Sequence, residues 1–237
     1  MTKAEIQFVR SLADKQVRDT ERLFIAEGEK LIGEILESHL RIRQIYALEG
    51  VLQGRAEVVT PKEMERISQL KSASNCLAIV EQPRFTTPAA APATALSLAL
   101  DGVQNPGNLG TIIRLADWFG ISDIFCSEST ADCYNPKVIQ ATMGAILRVR
   151  VHYLPLADFL ALSAKEGTPI YGTMLDGENI YEGELSTNGV IVMGNEGQGI
   201  SAEVAATVSH KLNSTCDSLN TLLASRLHTR LCKIHRP

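Results

Sequence analysis

The chain has 237 residues, 45% of them hydrophobic, and a formal net charge of −4, enough for a sizeable core in one large or two small domains. The acidic balance excludes a protein that simply coats nucleic acid, which needs net positive surface to displace counterions. No apolar run reaches the roughly 18–20 residues that span a bilayer, and the start MTKAEIQFVRSLADKQVRD lacks the apolar centre of a signal peptide. A soluble cytoplasmic protein with no membrane segment is expected. The cysteines at 76, 126, 133, 216 and 232 have no CxxC spacing, so they read as free thiols and no metal site is expected.

The basic residues Arg10, Lys15, Arg18 and Arg22 lie close together near the start, and Arg148 and Arg150 form a second local cluster. Each cluster is a candidate phosphate contact. RLFIAEG predicts a short strand running into a turn, and EGEKLIGEILES sets Leu31, Ile32, Ile35 and Leu36 at helical spacing. RIRQIYAL and AEVVT predict strands, Pro61 sits where a helix start tolerates it, and NCLAIVE predicts a closing strand. This alternation implies a small α/β module over residues 1–82. EQPRFTTPAAAPATA is proline- and alanine-rich, and proline fixes φ and removes donors; residues 83–95 are therefore the expected linker.

Residues 96–237 alternate again. ALSLALD, SDIFCS, RVRVHYL, PIYGTML and GVIVMG predict strands. NPGNLGTIIRLADWFG, NPKVIQATMGAIL, LADFLALSAKEG and ISAEVAATV predict helices, with Gly167 a C-cap residue and Ser201 an N-cap residue. Near-continuous apolar strands between helices imply a parallel sheet covered on both faces. Ligands of such sheets sit beyond the carboxyl ends of the strands. Two loops fall there, DGVQNPGNLG and VMGNEGQGIS. The second has the order G-x-x-G-x-G, which is not the dinucleotide fingerprint, and no Lys-Ser/Thr follows as in a P-loop. Taken alone, both loops also read as tight turns. Arg114 stands among Ile112, Ile113 and Leu115. By residue type it suits a carboxylate partner; Asp117, Asp101 and Glu196 are the candidates.

Residues 105–120 together with MGNEGQGIS strongly resemble the SpoU/TrmH family of RNA ribose 2′-O-methyltransferases. Asn108, Gly110 and Arg114 match the first family motif, and residues 194–199 match the second. DCYNPKVIQATMGAILRV resembles the family's middle region, and RLFIAEGEKLIGEIL its leading substrate-binding domain. The resemblance implies an α/β fold: a C-terminal SPOUT-type parallel-sheet domain with a trefoil knot, preceded by a small α/β substrate-binding domain. It implies S-adenosylmethionine as cofactor, RNA as substrate (ribosomal rather than transfer RNA), and a homodimer whose subunits share the active site. It places Arg114, Asn108 and Glu196 in catalysis, with Asn108 orienting Arg114 or contacting the RNA backbone, and Glu196 pairing with Arg114 of the same or the partner subunit. It places Gly194, Asn195, Gly197, Gly199, Leu212, Ser214 and Leu219 at the cofactor, and Arg22, Glu27, Arg148, Ser218 and Asn220 at the RNA.

The chain departs from the third motif. The family's hydrophobic-Pro pair is replaced by Asn213-Ser214-Thr215, although Ser218-Leu219-Asn220 follow. Codons AAT-TCC-ACN read one base along give Ile-Pro, which suggests a shifted frame near residue 213. The alternative function is therefore an impaired RNA-binding homologue with a disrupted cofactor loop. A nucleotide-dependent enzyme on an open α/β sheet ranks below both, because no acidic residue follows a G-x-G-x-x-G loop at the required distance.

Overall fold

The structure, a computed structural model, describes residues 1–179, 186 and 188–213. It divides into two compact units, Met1–Phe85 with Asp132–Leu147, and Thr86–Ala131 with Arg148–Pro237. Among the described residues no helix is long and apolar enough to cross a membrane.

The first unit opens with helices α1 (Lys3–Ser11) and α2 (Lys15–Glu21), which the sequence reading did not anticipate. Thr2 and Glu5 form a reciprocal capping box on α1, and Asp14 caps α2, satisfying amide donors that a helix start leaves open. Strands β1 (Leu23–Glu27), β2 (Ile42–Ala47), β3 (Glu57–Val58) and β4 (Cys76–Glu81) make a sheet of order β1-β4-β2-β3. Helix α3 (Glu29–Glu37) follows β1, and α4 (Pro61–Ile67) begins at Thr60 with Pro61 at its first position, as predicted. Ile6, Val9, Ile25, Met64, Ile67 and Leu77 are buried together. The thiol of Cys76 is pushed up to about 11 by burial, consistent with an unreactive core residue.

Residues Asp132–Leu147 were expected in the second domain but group with the first. Helix α6 (Pro136–Thr142) packs on β1, and Tyr134 stacks on Phe24 with ring centroids 5.0 Å apart. Arg18 is 1% exposed and binds Asp132 through Nε (3.1 Å) and Nη2 (2.5 Å), while Nη1 donates to the carbonyls of Leu12 and Ala13. Arg18 is thus a buried tie and not part of a phosphate-binding patch. The helix predicted across 135–147 also ends early. Met143 (φ 48°) and Gly144 (φ 91°) take left-handed backbone, and a single 3-10 turn, Ala145–Leu147, follows.

Among the described residues of the second unit, six strands are all parallel, in the order β10-β8-β9-β5-β6-β7. They are β5 (Leu96–Leu100), β6 (Asp123–Cys126), β7 (Arg150–Tyr153), β8 (Ile170–Asn179), β9 (Gly189–Met193) and β10 (His210–Asn213). β9 is buried along its whole length, as the continuous apolar run predicted. The helices are α5 (Pro106–Trp118), α7 (Leu156–Lys165) and α8 (Ala202–Ala205). Phe125, Phe159, Leu160, Val190 and Val192 form part of the core. At the amino ends of β6 and β7, Asp123 accepts hydrogen bonds from Arg150 Nε (2.7 Å) and Nη2 (2.5 Å) and lies 2.9 Å from His152 Nε2. Burial pushes the Asp123 carboxyl up, but its bonds with Arg150, His152 and Ser122 outweigh that and hold it well below the usual carboxylate range. The Arg150 side chain is therefore engaged within the sheet. The expected trefoil knot involves chain beyond residue 213, outside the described residues.

Candidate active site

The chain leaves β5 toward β6 and β7 on one side, and later returns to β9 on the other. This reversal puts the loops after β5 and β9 side by side at the carboxyl edge, where open parallel sheets bind ligands. Three hydrogen-bonded groups fix these loops. Ser201 N–H donates to Asp101 Oδ2 (2.8 Å), and Asn195 Nδ2 donates to the Gly102 carbonyl (2.8 Å). Gly102 N–H donates to Ser127 Oγ (2.9 Å), which ties in the loop after β6.

The loop 194–199 is a closed turn. Asn195 and Gly199 exchange backbone hydrogen bonds of 2.9 and 2.8 Å. Asn195 Oδ1 also accepts from Gly197 N–H (2.9 Å) and Gln198 N–H (3.2 Å). Gly194 is obligatory here: a Cβ on it would lie 2.2 Å from the Gly199 carbonyl carbon, far inside van der Waals contact. The turn therefore presents backbone with few side chains, a surface that a flat, polar cofactor can approach closely. Glu196 is exposed at its tip.

Asn105 caps α5, accepting from Gly107 N–H (2.8 Å) and Asn108 N–H (3.3 Å), and Pro106 occupies the first helical position. Leu109, Ile112, Ile113 and Ala116 bury one face. Arg114 is on the exposed side, in line with Gly107, Thr111 and Trp118 at spacings of three and four residues. It makes no hydrogen bond or ion pair among the described residues. Two consequences follow from its place on the helix. Arg114 stands two turns into the helix, about 12 Å from its start at 1.5 Å per residue, so the helix dipole, which acts within the first turn, favours negative charge near Asn108 and not at Arg114. Asn108 lies about 120° around the helix from Arg114, so the two side chains do not share a face.

Two of the carboxylates that could neutralise Arg114 are held elsewhere. Asp101 accepts from Ser201. Asp117 is gripped by Arg148, whose Nε lies 2.9 and 3.0 Å from the two carboxylate oxygens and whose Nη2 lies 2.8 Å from Oδ2. Glu196 forms no ion pair with Arg114 within the chain. Leu212 is buried in β10. Of the residues expected at the RNA, Arg22 is exposed at the left-handed cap of α2. Glu27 is 5% exposed, and its carboxylate accepts from Ser68 Oγ (2.7 Å), Gln69 N–H (2.7 Å) and Ser74 Oγ (3.2 Å); it braces the first unit internally. Ser214, Ser218, Leu219 and Asn220 lie outside the described residues. Sequence reading missed the bracing of the site by Ser127 and Ser201, and the Asp117–Arg148 pair. Only Ser201 carried a local signal, its position as a helix cap.

Residues 95–228 match the SpoU rRNA Methylase family, and residues 3–82 match the MRM3-like substrate binding domain. The chain is 28% identical to the 23S rRNA (guanosine(2553)-2′-O)-methyltransferase RlmP of Bacillus subtilis over 92% of this chain and 91% of that one. It superposes on a TrmH-family protein from Porphyromonas gingivalis with a TM-score of 0.84 and 36% identity, covering 97% and 99% of the two chains. An AdoMet-bound rRNA methyltransferase from Sinorhizobium meliloti gives a TM-score of 0.83 at 26% identity, covering 100% and 97%.

Proposed function

Because the chain belongs to the SpoU rRNA methylase family, we propose that it transfers a methyl group from S-adenosylmethionine to a ribose 2′-hydroxyl of structured RNA, ribosomal rather than transfer RNA. The observation that carries this reading is the exposed fork of Arg114, without a partner among the described residues, on the helix that follows β5, in a unit whose carboxyl edge carries the glycine turn 194–199. The name of the Bacillus relative, a 23S rRNA 2′-O-methyltransferase matched over nearly its whole length, supports the choice of ribosomal RNA.

The residues present fit the cofactor. Gly194, Asn195, Gly197 and Gly199 would hold it against backbone that no side chain obstructs, with Leu212 behind. When bound, S-adenosylmethionine supplies an electrophilic methyl carbon on a sulfonium. The chain's own residues must then hold the ribose oxygen in line and favour loss of its proton. A guanidinium keeps its proton throughout, so Arg114 acts as an electrostatic clamp on the developing alkoxide or the adjacent phosphate rather than as a base. Asn108, on another face of α5, contacts the RNA backbone. Arg22 contacts phosphate from the leading domain. Arg148, engaged with Asp117, is left out of the RNA surface.

We also propose a homodimer, in which Glu196 faces Arg114 of the second subunit. The lack of an Arg114–Glu196 pair within the chain and the 79% exposure of Trp118 on the Arg114 face support it. A second reading, an RNA-binding homologue that no longer takes the cofactor, is favoured by the departure at residues 213–220 from the family's third motif. Calorimetry with S-adenosylmethionine separates the two: heat of binding supports the enzyme, and none from a well-folded protein supports the second reading.

A further inference from the structure

We infer that Arg148 is a positioning residue that keeps Asp117 from neutralising Arg114; this rests on the role proposed for Arg114 above. Asp117 lies three residues beyond Arg114 on α5. That spacing brings Cβ atoms to roughly 5–6 Å, where opposite charges on a helix pair. Left alone, the Asp117 carboxylate is the natural partner of the Arg114 fork. It is not available, because Arg148, just ahead of β7, occupies both of its oxygens at 2.8–3.0 Å. The Arg148 side chain is 52% exposed and that of Asp117 25%. A pair this open adds little to stability, so its geometry matters more than its energy. A planar fork can cover both oxygens at once, whereas a lysine at 148 would hold one and leave the other for Arg114. Of the other candidate carboxylates, Asp101 accepts from the Ser201 amide and Glu196 makes no ion pair with Arg114 of its own chain, so within the subunit Asp117 is the carboxylate that the helix sets beside Arg114 and that Arg148 withholds from it.

The test uses the full chain in five forms: wild type, R148A, D117N, R148A/D117N and R148K. In protein labelled with 15N-arginine, the Nε–H signal of Arg114 is identified by its loss in R114K. The expected result is that R148A moves this signal and the double variant returns it to the wild-type position. Methyl incorporation from S-adenosylmethionine into unmodified ribosomal RNA gives the second readout. R148A is expected to lower kcat/KM by about 2–5-fold at low salt, the factor that an exposed ion pair of about 0.5–1 kcal/mol produces. R148A/D117N restores the wild-type rate, R148K falls between, and D117N alone matches wild type. The ratio of R148A to the double variant rises toward one in high salt, where exposed pairs are screened; a purely structural defect would not follow salt in this way. An Arg114 signal that stays put in R148A overturns the inference, as does a double variant as slow as R148A. If R148A does not fold, R148K decides by the same two readouts. If wild type methylates no RNA, the functional reading fails, and the Arg114 signal still decides whether Arg148 guards Asp117.

Discussion

Arg18 and Arg114 are both arginines in amphipathic surroundings, yet the fold uses them in opposite ways. Arg18 is buried, with its nitrogens engaged by Asp132 and two backbone carbonyls. Removing one partner of such a pair leaves an uncompensated buried charge, a cost of about 3–5 kcal/mol. Arg18→Ala should lower the unfolding free energy in urea by an amount of that size, and a variant within error of wild type would show that the pair is not buried in solution. Arg114 is exposed and has no partner among the described residues, which suits it for meeting charge that appears only during reaction. Gly194 is the third residue of note. Gly194→Ala forces the Gly199 backbone to shift, a strain of about 1–3 kcal/mol; it should weaken S-adenosylmethionine binding about tenfold or more by calorimetry while leaving thermal unfolding of the remainder cooperative. The residues of the two motifs were legible in the sequence because their spacing is local. The different fates of Arg18 and Arg114 were not, because each depends on a carboxylate or its captor far away in the chain: Asp132 is 114 residues from Arg18, and Arg148 is 31 from Asp117.

At the scale of elements, apolar runs and caps located nearly every strand and helix of the described chain. Helices α1 and α2 escaped because they are short and mostly polar, with Ile6 and Val9 the buried apolar residues of α1; Thr2 and Glu5, three residues apart, were the available signal. The early end of α6 also escaped, since Met143 in left-handed backbone is a conformation that its residue type does not advertise. Asn105 caps α5 with two amide bonds. Asn105→Ala should lower stability by about 1 kcal/mol in chemical denaturation, and no change would mean that the cap is made by solvent instead. The Asp123 cluster gives a pH dependence. Its carboxyl is depressed in the folded state, so the stability it contributes is complete above the unfolded carboxylate value, about 3.9, and is lost as pH falls below that toward the folded value. The difference in denaturation midpoint between wild type and Asp123→Asn should therefore be constant from about pH 7 to 5 and shrink below about pH 4. A difference that grows in acid would reverse the assignment.

At the scale of the whole molecule, the sequence suggests a division at the proline-rich stretch 83–95, while the contacts that group Asp132–Leu147 with the first unit run from α6 and Asp132 to β1 and α2, across more than a hundred residues, and leave no local mark in the sequence. The proposed dimer gives Trp118 a partner; Trp118→Glu should convert the protein to a monomer in sedimentation equilibrium and reduce methyl transfer with it. In the proposed reaction the guanidinium of Arg114 stabilises a ribose oxygen as it takes a methyl group. The most direct test of this role is methyl incorporation into unmodified ribosomal RNA by wild type and Arg114→Lys, followed by mapping of the modified nucleotide. Wild type should make a single ribose 2′-O-methyl, and Arg114→Lys should be slower by about 10²-fold or more, the size of loss when one charge-stabilising donor is removed; a lysine variant as fast as wild type, or a methyl group found on a base, would rule out this role for Arg114.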